Sequence, residues 1–249
     1  MKAQRLDYLW LVLGFLALWQ GLFAISGPEA LASPTTTLAR AWRYLQTPQF
    51  WVHVHSTGIA FVYACVIALL GGLALGLWLG FRRFAGEVAD PILGSLYSIP
   101  KITLYPVILL VFGLGVSAKV AFGAIHGLFP VAIFAMNGVR KVAPIYLKTA
   151  HVMGLSPWAT VKTVLIPAAM PEIVTGLRIG FSSTLLGTLI GELFASNAGI
   201  GFILIRAMEA HNVPDIMALT LLLFAFAATA NGLLLLMERR MRHGLPGAA

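Results

Sequence analysis

Six long apolar runs, separated by short segments with charge, proline or glycine, dominate the 249-residue chain. A membrane-spanning helix needs about 20 apolar residues, and each run is close to that length or longer. Since 59% of the residues are apolar and only 10% are charged, polar groups could not cover the outside of a soluble domain. We therefore predict an all-α membrane protein with six transmembrane helices. The predicted spans are 8–25, 57–81, 91–112, 118–137, 173–195 and 216–237.

Lysine and arginine fall mainly on one side of these spans. With the N-terminus inside, 12 of them lie in inner segments, 4 lie in outer segments, and Lys101 lies within the third span. The positive-inside rule is then satisfied with both termini cytoplasmic. The net charge of +8 follows from this topology, so we expect no nucleic-acid partner.

The N-terminal run has an alternative interpretation as a secretory signal. Lys2 and Arg5 precede it, and the Ala-Leu-Ala at 30–32 would suit a cleavage site. The run has 18 residues against ~7–15 in a signal, which favours a retained helix. In the outer segment that follows, Pro34 and apolar residues at helical spacing predict an amphipathic helix on the outer surface.

Glycine recurs at four-residue spacing within the spans. Small residues at this spacing let helix backbones approach closely, so we predict a compact bundle. The residues concerned are Gly72, Gly76, Gly80, Gly123, Gly127, Gly176, Gly180, Gly187 and Gly191.

The long inner loop at 139–170 has the pattern of two short helices joined by a turn. Ile145–Met153 is predicted to be helical, with Gly154 in the left-handed position after its end. Ser156 suits the N-cap of a second helix, and Pro157 suits its first residue.

Proline is expected to separate this second helix from the fifth span. Pro167 should end the helix by removing a backbone donor, and Pro171 with Glu172 should open the span. The loop carries apolar residues that either pack against the chain's own helices or form a docking surface for a soluble partner. They are Ile145, Leu147, Val152, Met153, Leu155 and Trp158.

In this loop the chain resembles permease (transmembrane) subunits of bacterial binding-protein-dependent ABC importers. Their signature is Glu-Ala-Ala, three residues, Gly, nine residues and Ile-x-Leu-Pro. Ala150, Gly154 and Pro167 match it in identity and spacing, whereas Lys148 replaces the acid and Thr149 replaces the first alanine. The charge reversal puts in doubt any salt link of the family's Glu and leaves the helix-turn-helix geometry undisturbed.

Further motifs are similar to the sulfonate, taurine and nitrate branch of that family. They lie at 98–101, 112–115, 168–171, 176–180, 191–195 and 237–240.

The resemblance implies a type I ABC importer permease bundle, multi-pass in the bacterial cytoplasmic (inner) membrane. Residues 1–55 would form the N-terminal transmembrane helix and the outer amphipathic segment. Residues 56–242 would form the transmembrane domain with its coupling loop at 139–170, and 243–249 a short cytoplasmic tail.

The family also implies a mechanism and partners. Two permease copies would form a homodimer in the lipid bilayer, with a dimer of cytoplasmic ABC ATPase subunits inside and a periplasmic or lipid-anchored solute-binding protein outside. The imported solute is expected to be a small anion of the nitrate, sulfonate, taurine or aromatic acid type. The residues expected to couple to the ATPase are Lys148, Thr149, Ala150, His151, Met153, Gly154, Leu155, Trp158 and Pro167.

Three ionisable residues fall in or near the spans. Each would cost ~2.5–3.5 kcal/mol at the bilayer centre, so each should face a cavity or a partner. Lys101 and Glu192 are candidates for the translocation pathway. Lys101 could instead be held by carbonyls freed by neighbouring prolines, and Glu192 could make a helix-end hydrogen bond. We expect Lys119 to lie at the outer interface and extend its ammonium into water.

The sequence shows no catalytic pattern: it has no phosphate-binding Gly-x4-Gly-Lys-Ser/Thr, no Gly-x-Ser-x-Gly and no His-Glu-x-x-His. ATP hydrolysis is therefore expected in a separate subunit, and we predict no enzyme activity, cofactor or metal. His53 and His55 have no nearby carboxylate or cysteine, and the single Cys65 excludes an intrachain disulfide. The alternatives are an ion-gradient-driven secondary transporter, with Glu192 as its candidate carboxylate, and an intramembrane enzyme.

Overall fold

The computed structural model describes residues 2–194 and 196–243, and within these residues all regular structure is helical. A 3₁₀ turn occupies Lys101–Leu104, and a π-helical turn occupies Val161–Leu165. The α-helices are α1 (Lys2–Ser26), α2 (Pro34–Gln46), α3 (Pro48–Phe81), α4 (Arg83–Ser98), α5 (Tyr105–Phe112), α6 (Val116–Arg140), α7 (Pro144–Val152), α8 (Pro157–Thr160), α9 (Ile166–Phe194), α10 (Ile200–Glu209) and α11 (Val213–His243).

Among the described residues, four helical segments are long and apolar enough to cross a membrane, and five if one bent pair counts as a span. The four are α3, α6, the continuous stretch Pro157–Phe194 and Val213–Leu236. The apolar part of α1, Trp10–Ser26, is shorter, so six spans stay a prediction. The predicted end of the fifth span at residue 195 and the tail residues 244–249 lie outside the described residues.

The third predicted span, 91–112, is the one whose apolar run Pro100, Lys101 and Pro106 interrupt, and its helix is broken at this place. Helix α4 begins at Arg83 and ends at Ser98. The chain then bends by 85° into the helical stretch Lys101–Phe112, which consists of the 3₁₀ turn and α5. The physical reason is the proline at position 100, because a residue before proline is driven from helical to extended geometry. Ile99 has this extended geometry, with φ −62° and ψ 134°.

The expected helix stop at Pro167 is wrong. From α8 the chain passes through the π-helical turn directly into α9, which carries Pro171 in its interior. In the π-helical turn the Ile166 amide donates to the Val161 carbonyl, five residues earlier. This wider turn moves the carbonyls out of the position where the Pro167 ring would clash with them, so the helix continues.

Helix α6 is the centre of the bundle, with α3 parallel and α9 antiparallel along its length. The predicted close contacts at the glycines are confirmed. Both α3 and α9 approach α6 with almost no space between the backbones. A Cβ on Gly76 would lie 2.8 Å from the Ala135 Cβ, and one on Gly127 would lie 2.8 Å from the Gly180 carbonyl oxygen. Side chains larger than hydrogen at these positions would force the helices apart.

Helix α2 confirms the predicted amphipathic helix that starts at Pro34. The Ser33 hydroxyl accepts from the Thr36 amide at 3.1 Å and caps the first turn. Arg40 forms an ion pair with Asp215 at the start of α11. This carboxylate raises the pKa of the Arg40 guanidinium above its usual value. The α2 helix is therefore attached to the last long helix as well as to its chain neighbours.

We expect the substitution Gly76→Val to destabilise the folded chain by about 1–3 kcal/mol, because overpacking forces the α3–α6 contact to open. The measurement is the thermal midpoint of the purified protein in mild detergent. Gly58→Val is the matched control, since Gly58 lies on the same helix and a Cβ there meets no atom within 4 Å. Equal midpoints for the two variants would contradict the close-packing interpretation.

Candidate functional site

The segment from Pro144 to Thr160, here called the α7–α8 segment, forms a helix, a turn and a second short helix. The turn has two hydrogen bonds: the Leu155 amide donates to the Ala150 carbonyl, and the Gly154 amide donates to the His151 carbonyl, each at 3.0 Å. Gly154 has φ +72°, which confirms the predicted left-handed position. This pairing is a Schellman motif, which ends a helix and satisfies carbonyl groups of its last turn.

The second helix starts as the sequence predicts. Ser156 is its N-cap and accepts from the Ala159 amide at 3.3 Å, and Pro157 is its first residue. A turn with its own capping on both sides holds its shape through local hydrogen bonds. These local hydrogen bonds define the shape of the turn between α7 and α8.

Large apolar side chains point away from the protein in this segment. Val152 is 85% exposed, Met153 72% and Trp158 74%, and Ile145 is also exposed. The alternative that these side chains pack against the chain's own helices is wrong for these four residues. A surface of this kind on a membrane protein indicates a contact with another molecule.

The predicted coupling residues fall into two groups by burial. Ala150 is buried, and Leu155 and Pro167 are half-buried, so these three are at least partly covered by the chain itself. The others are exposed and available to a partner; they are Lys148, Thr149, His151, Met153, Gly154 and Trp158.

At the opposite end of the bundle, the Glu192 carboxylate is completely buried. The Thr57 hydroxyl donates to it at 2.8 Å, the Gly201 amide donates at 2.9 Å, and the Lys119 ammonium approaches to 3.4 Å. The carboxylate therefore has partners on α3, α6 and α10. Breaking such a buried pair by removing one partner typically costs ~3–5 kcal/mol.

The expectation that Lys119 extends into water is wrong. Only 3% of its side chain is exposed, and its ammonium also donates to the Ala198 carbonyl. The reason is helix register: α6 and α9 run antiparallel with Gly127 facing Gly180, and the Lys119 backbone faces Gly191. This register places the lysine beside the neighbouring Glu192, where the ion pair compensates for loss of water.

The same network fixes the start of α10. The Ile200 amide donates to the Thr57 hydroxyl at 2.8 Å, and the Gly199 amide donates to His53 Nδ1 at 3.1 Å. Backbone donors at a helix start have no partners within the helix, and side chains from α3 satisfy them here. His53 is thus a hydrogen-bond acceptor, and the described residues contain no group of three or more potential metal ligands.

The structure does not bring Lys101 and Glu192 together. Lys101 is buried at the bend after α4, and its ammonium donates to the Tyr97 carbonyl at 2.7 Å. It also lies 5.8 Å from the centre of the Phe129 ring. Its carbonyl partner matches the structural alternative for this lysine rather than an open position facing a solute.

Sequence reasoning missed a second buried carboxylate. Glu238 on α11 accepts from the Thr175 hydroxyl at 3.0 Å and forms an ion pair with Arg178 on α9, also at 3.0 Å. The signal was present in the predicted topology, because the fifth span starts and the sixth span ends at the same side. An acid and a base near those two ends could have been paired.

Residues 72–243 match the protein family described as "Binding-protein-dependent transport system inner membrane component". The putative aliphatic sulfonates transport permease protein SsuC of Bacillus subtilis is 26% identical over 91% of this chain and 83% of its own length. The taurine transport system permease protein TauC of Escherichia coli is 28% identical over 80% of this chain and 72% of its own length.

The fold has a solved counterpart. A structure of the MetNI methionine ABC transporter in an inward-facing conformation aligns with a TM-score of 0.66 at 18% identity, and the match covers 78% of this chain and 98% of that one. The relatives are transport permeases and not enzymes, and the family is one of the inner membrane. The predicted resemblance is thus confirmed, and the chain belongs to the inner membrane component family of binding-protein-dependent transport systems.

Proposed function

We propose that this chain is the permease subunit of an ATP-driven importer for a small solute. Two copies form the membrane pathway, and each places its α7–α8 segment in a groove of a cytoplasmic ATPase subunit. Both termini then lie in the cytoplasm, and a solute-binding protein docks on the opposite face. The observation that carries this proposal is the exposed apolar surface of a segment whose backbone is held rigid by its own turn.

The mechanism is the transfer of a movement between rigid bodies. Closure of two ATPase subunits on ATP draws the two α7–α8 segments together, and the bundles then open towards the binding protein. Hydrolysis reverses the change. Each of the two states needs a partner that binds it better than it binds the other state. The ATPase is this partner on the inside, and the loaded binding protein is this partner on the outside.

The proposed solute is a small anion, such as a sulfonate, nitrate, taurine or an aromatic acid. Support comes from the relatives, whose names refer to aliphatic sulfonates and taurine. That Lys101 and Glu192 line the pathway stays a prediction. Both have partners within the chain, which favours structural roles. The ion-gradient alternative depended on Glu192, whose carboxylate is already paired with Lys119.

The experiment that tests the function is purification of the tagged chain from its native host in mild detergent. We expect a stoichiometric ATPase subunit and a second copy of the chain in the same complex. A binding protein that co-purifies would identify the solute. A lone oligomer without an ATPase, even after cross-linking, would overturn the proposal.

We expect Gly154→Val to abolish most solute-stimulated ATP hydrolysis without impairing membrane insertion. A β-branched residue is strained at φ +72°, although a Cβ at this position meets no atom within 4 Å. The assay is ATPase activity of the reconstituted complex. Gly154→Asn is the matched variant, because asparagine tolerates left-handed geometry and should retain coupling. Full coupling in the valine variant would exclude a role for this turn.

The alternative roles of Lys101 are separated by cysteine accessibility. In a Cys65→Ala background, Lys101→Cys should be protected from a water-soluble thiol reagent in every nucleotide state, because the side chain lies between Tyr97 and Phe129. Val152→Cys, on the exposed face of α7, is the control that the reagent should label. Rapid labelling of position 101 in one nucleotide state would instead place it in the pathway.

A further inference from the structure

A lysine lies at the centre of the exposed face of α7. Ile145, Lys148, Thr149 and Val152 are spaced at three and four residues, so they share one face of the helix. All four are exposed, whereas Ala150 on the other side is buried. The ammonium of Lys148 is thus flanked on its own face by two exposed apolar side chains.

The stretch of sequence that contains this face has basic residues and no acid. Residues 139–171 contain no aspartate or glutamate. The exposed bases His151 and Lys162 lie near Lys148 in the sequence, and Lys141 is paired with Glu172 at 3.2 Å. Residues 139–171 therefore provide no acid that could neutralise the Lys148 ammonium when a partner excludes water from it.

A partner that covers Ile145 and Val152 also covers Lys148 between them. Removing an ammonium from water is unfavourable unless a hydrogen-bonding or oppositely charged group replaces the water. A neutral apolar groove would accept the two aliphatic side chains and leave the lysine without a partner. A carboxylate at the place that Lys148 reaches would replace the water and also balance the charge, which a neutral hydrogen-bonding group does not do.

We propose that the ATPase groove that receives α7 carries an acidic side chain opposite Lys148, so that this charge pair selects the matching ATPase. The inference rests on the proposed function and names the chemistry of its partner. Within the chain, α7 packs mainly against α8 and the π-helical turn, and not along the long spans. A segment that projects from the end of the bundle in this way fits a soluble groove better than a lipid surface.

The test measures binding of the ATPase subunit that co-purifies with the chain to the purified permease in neutral detergent. We expect Lys148→Glu to weaken binding about tenfold and Lys148→Gln about threefold, because the first adds repulsion and the second only removes attraction. Arg206→Glu is the matched control at the other end of the bundle, where the arginine is exposed and paired with Glu209. This control should bind like the wild-type chain.

The second arm looks for the partner charge. Acidic residues of the ATPase groove are replaced one at a time by lysine, and one such variant should restore binding of the Lys148→Glu chain to within about twofold of wild type. Binding of the wild-type chain should also weaken with added salt, and binding of the Lys148→Gln chain should weaken less.

The possible outcomes test the proposed function and the acidic partner separately. A wild-type chain that binds no ATPase overturns the proposed function. Wild-type binding that Lys148→Glu leaves unchanged, or that no groove variant restores, overturns only the acidic partner. A defect of Lys148→Glu that is absent in detergent and appears only in vesicles containing phosphatidylglycerol would assign the lysine to anionic lipid and also overturn it.

Discussion

The buried Glu192 carboxylate is the constraint on which one end of the bundle depends. An isolated charge without water is unstable, so every group around it must be a donor, and Thr57, Lys119 and Gly201 fill these positions. These donors belong to α3, α6 and α10, and Glu192 itself belongs to α9. The requirement to satisfy one carboxylate therefore fixes the relative positions of four helices. It also attaches the loop before α10 to the centre of the bundle.

This network is possible only because the helices lie so close together. Gly123 and Gly127 let the α6 backbone approach Thr184 and Thr188 of α9, and the same face of α6 continues to Lys119. The two threonine hydroxyls donate to carbonyls of their own helix, so they bring no unsatisfied polar group into the contact. Close approach and charge pairing are thus parts of one arrangement, since a wider spacing would separate the ammonium from the carboxylate.

The sequence predicts local features of this protein better than it predicts partners. The spans formed by α3, α6 and α11, the turn at Gly154 and the start of α2 at Pro34 follow from short-range patterns, and the structure confirms them. Pro167 was misread because its effect depends on the π-helical turn before it, which hydrophobic periodicity does not reveal. Lys119 was misread because its position near the end of a predicted span suggested that its ammonium reaches water. Its true partner depends on the register between α6 and α9, which lie far apart in sequence.

The two ends of the bundle differ in how their surfaces are satisfied, and one helical stretch joins them. At the Glu192 end, polar groups find partners within the chain, whereas the α7–α8 segment leaves large apolar groups exposed. The stretch Pro157–Phe194 begins beside the exposed Trp158 and ends beside Glu192. On the proposed coupling to an ATPase, a push on α8 would travel along this helix towards the Glu192 network and the α10 loop. The π-helical turn before Pro167 is the place where this stretch departs from regular α-helix, and it is where bending would be absorbed.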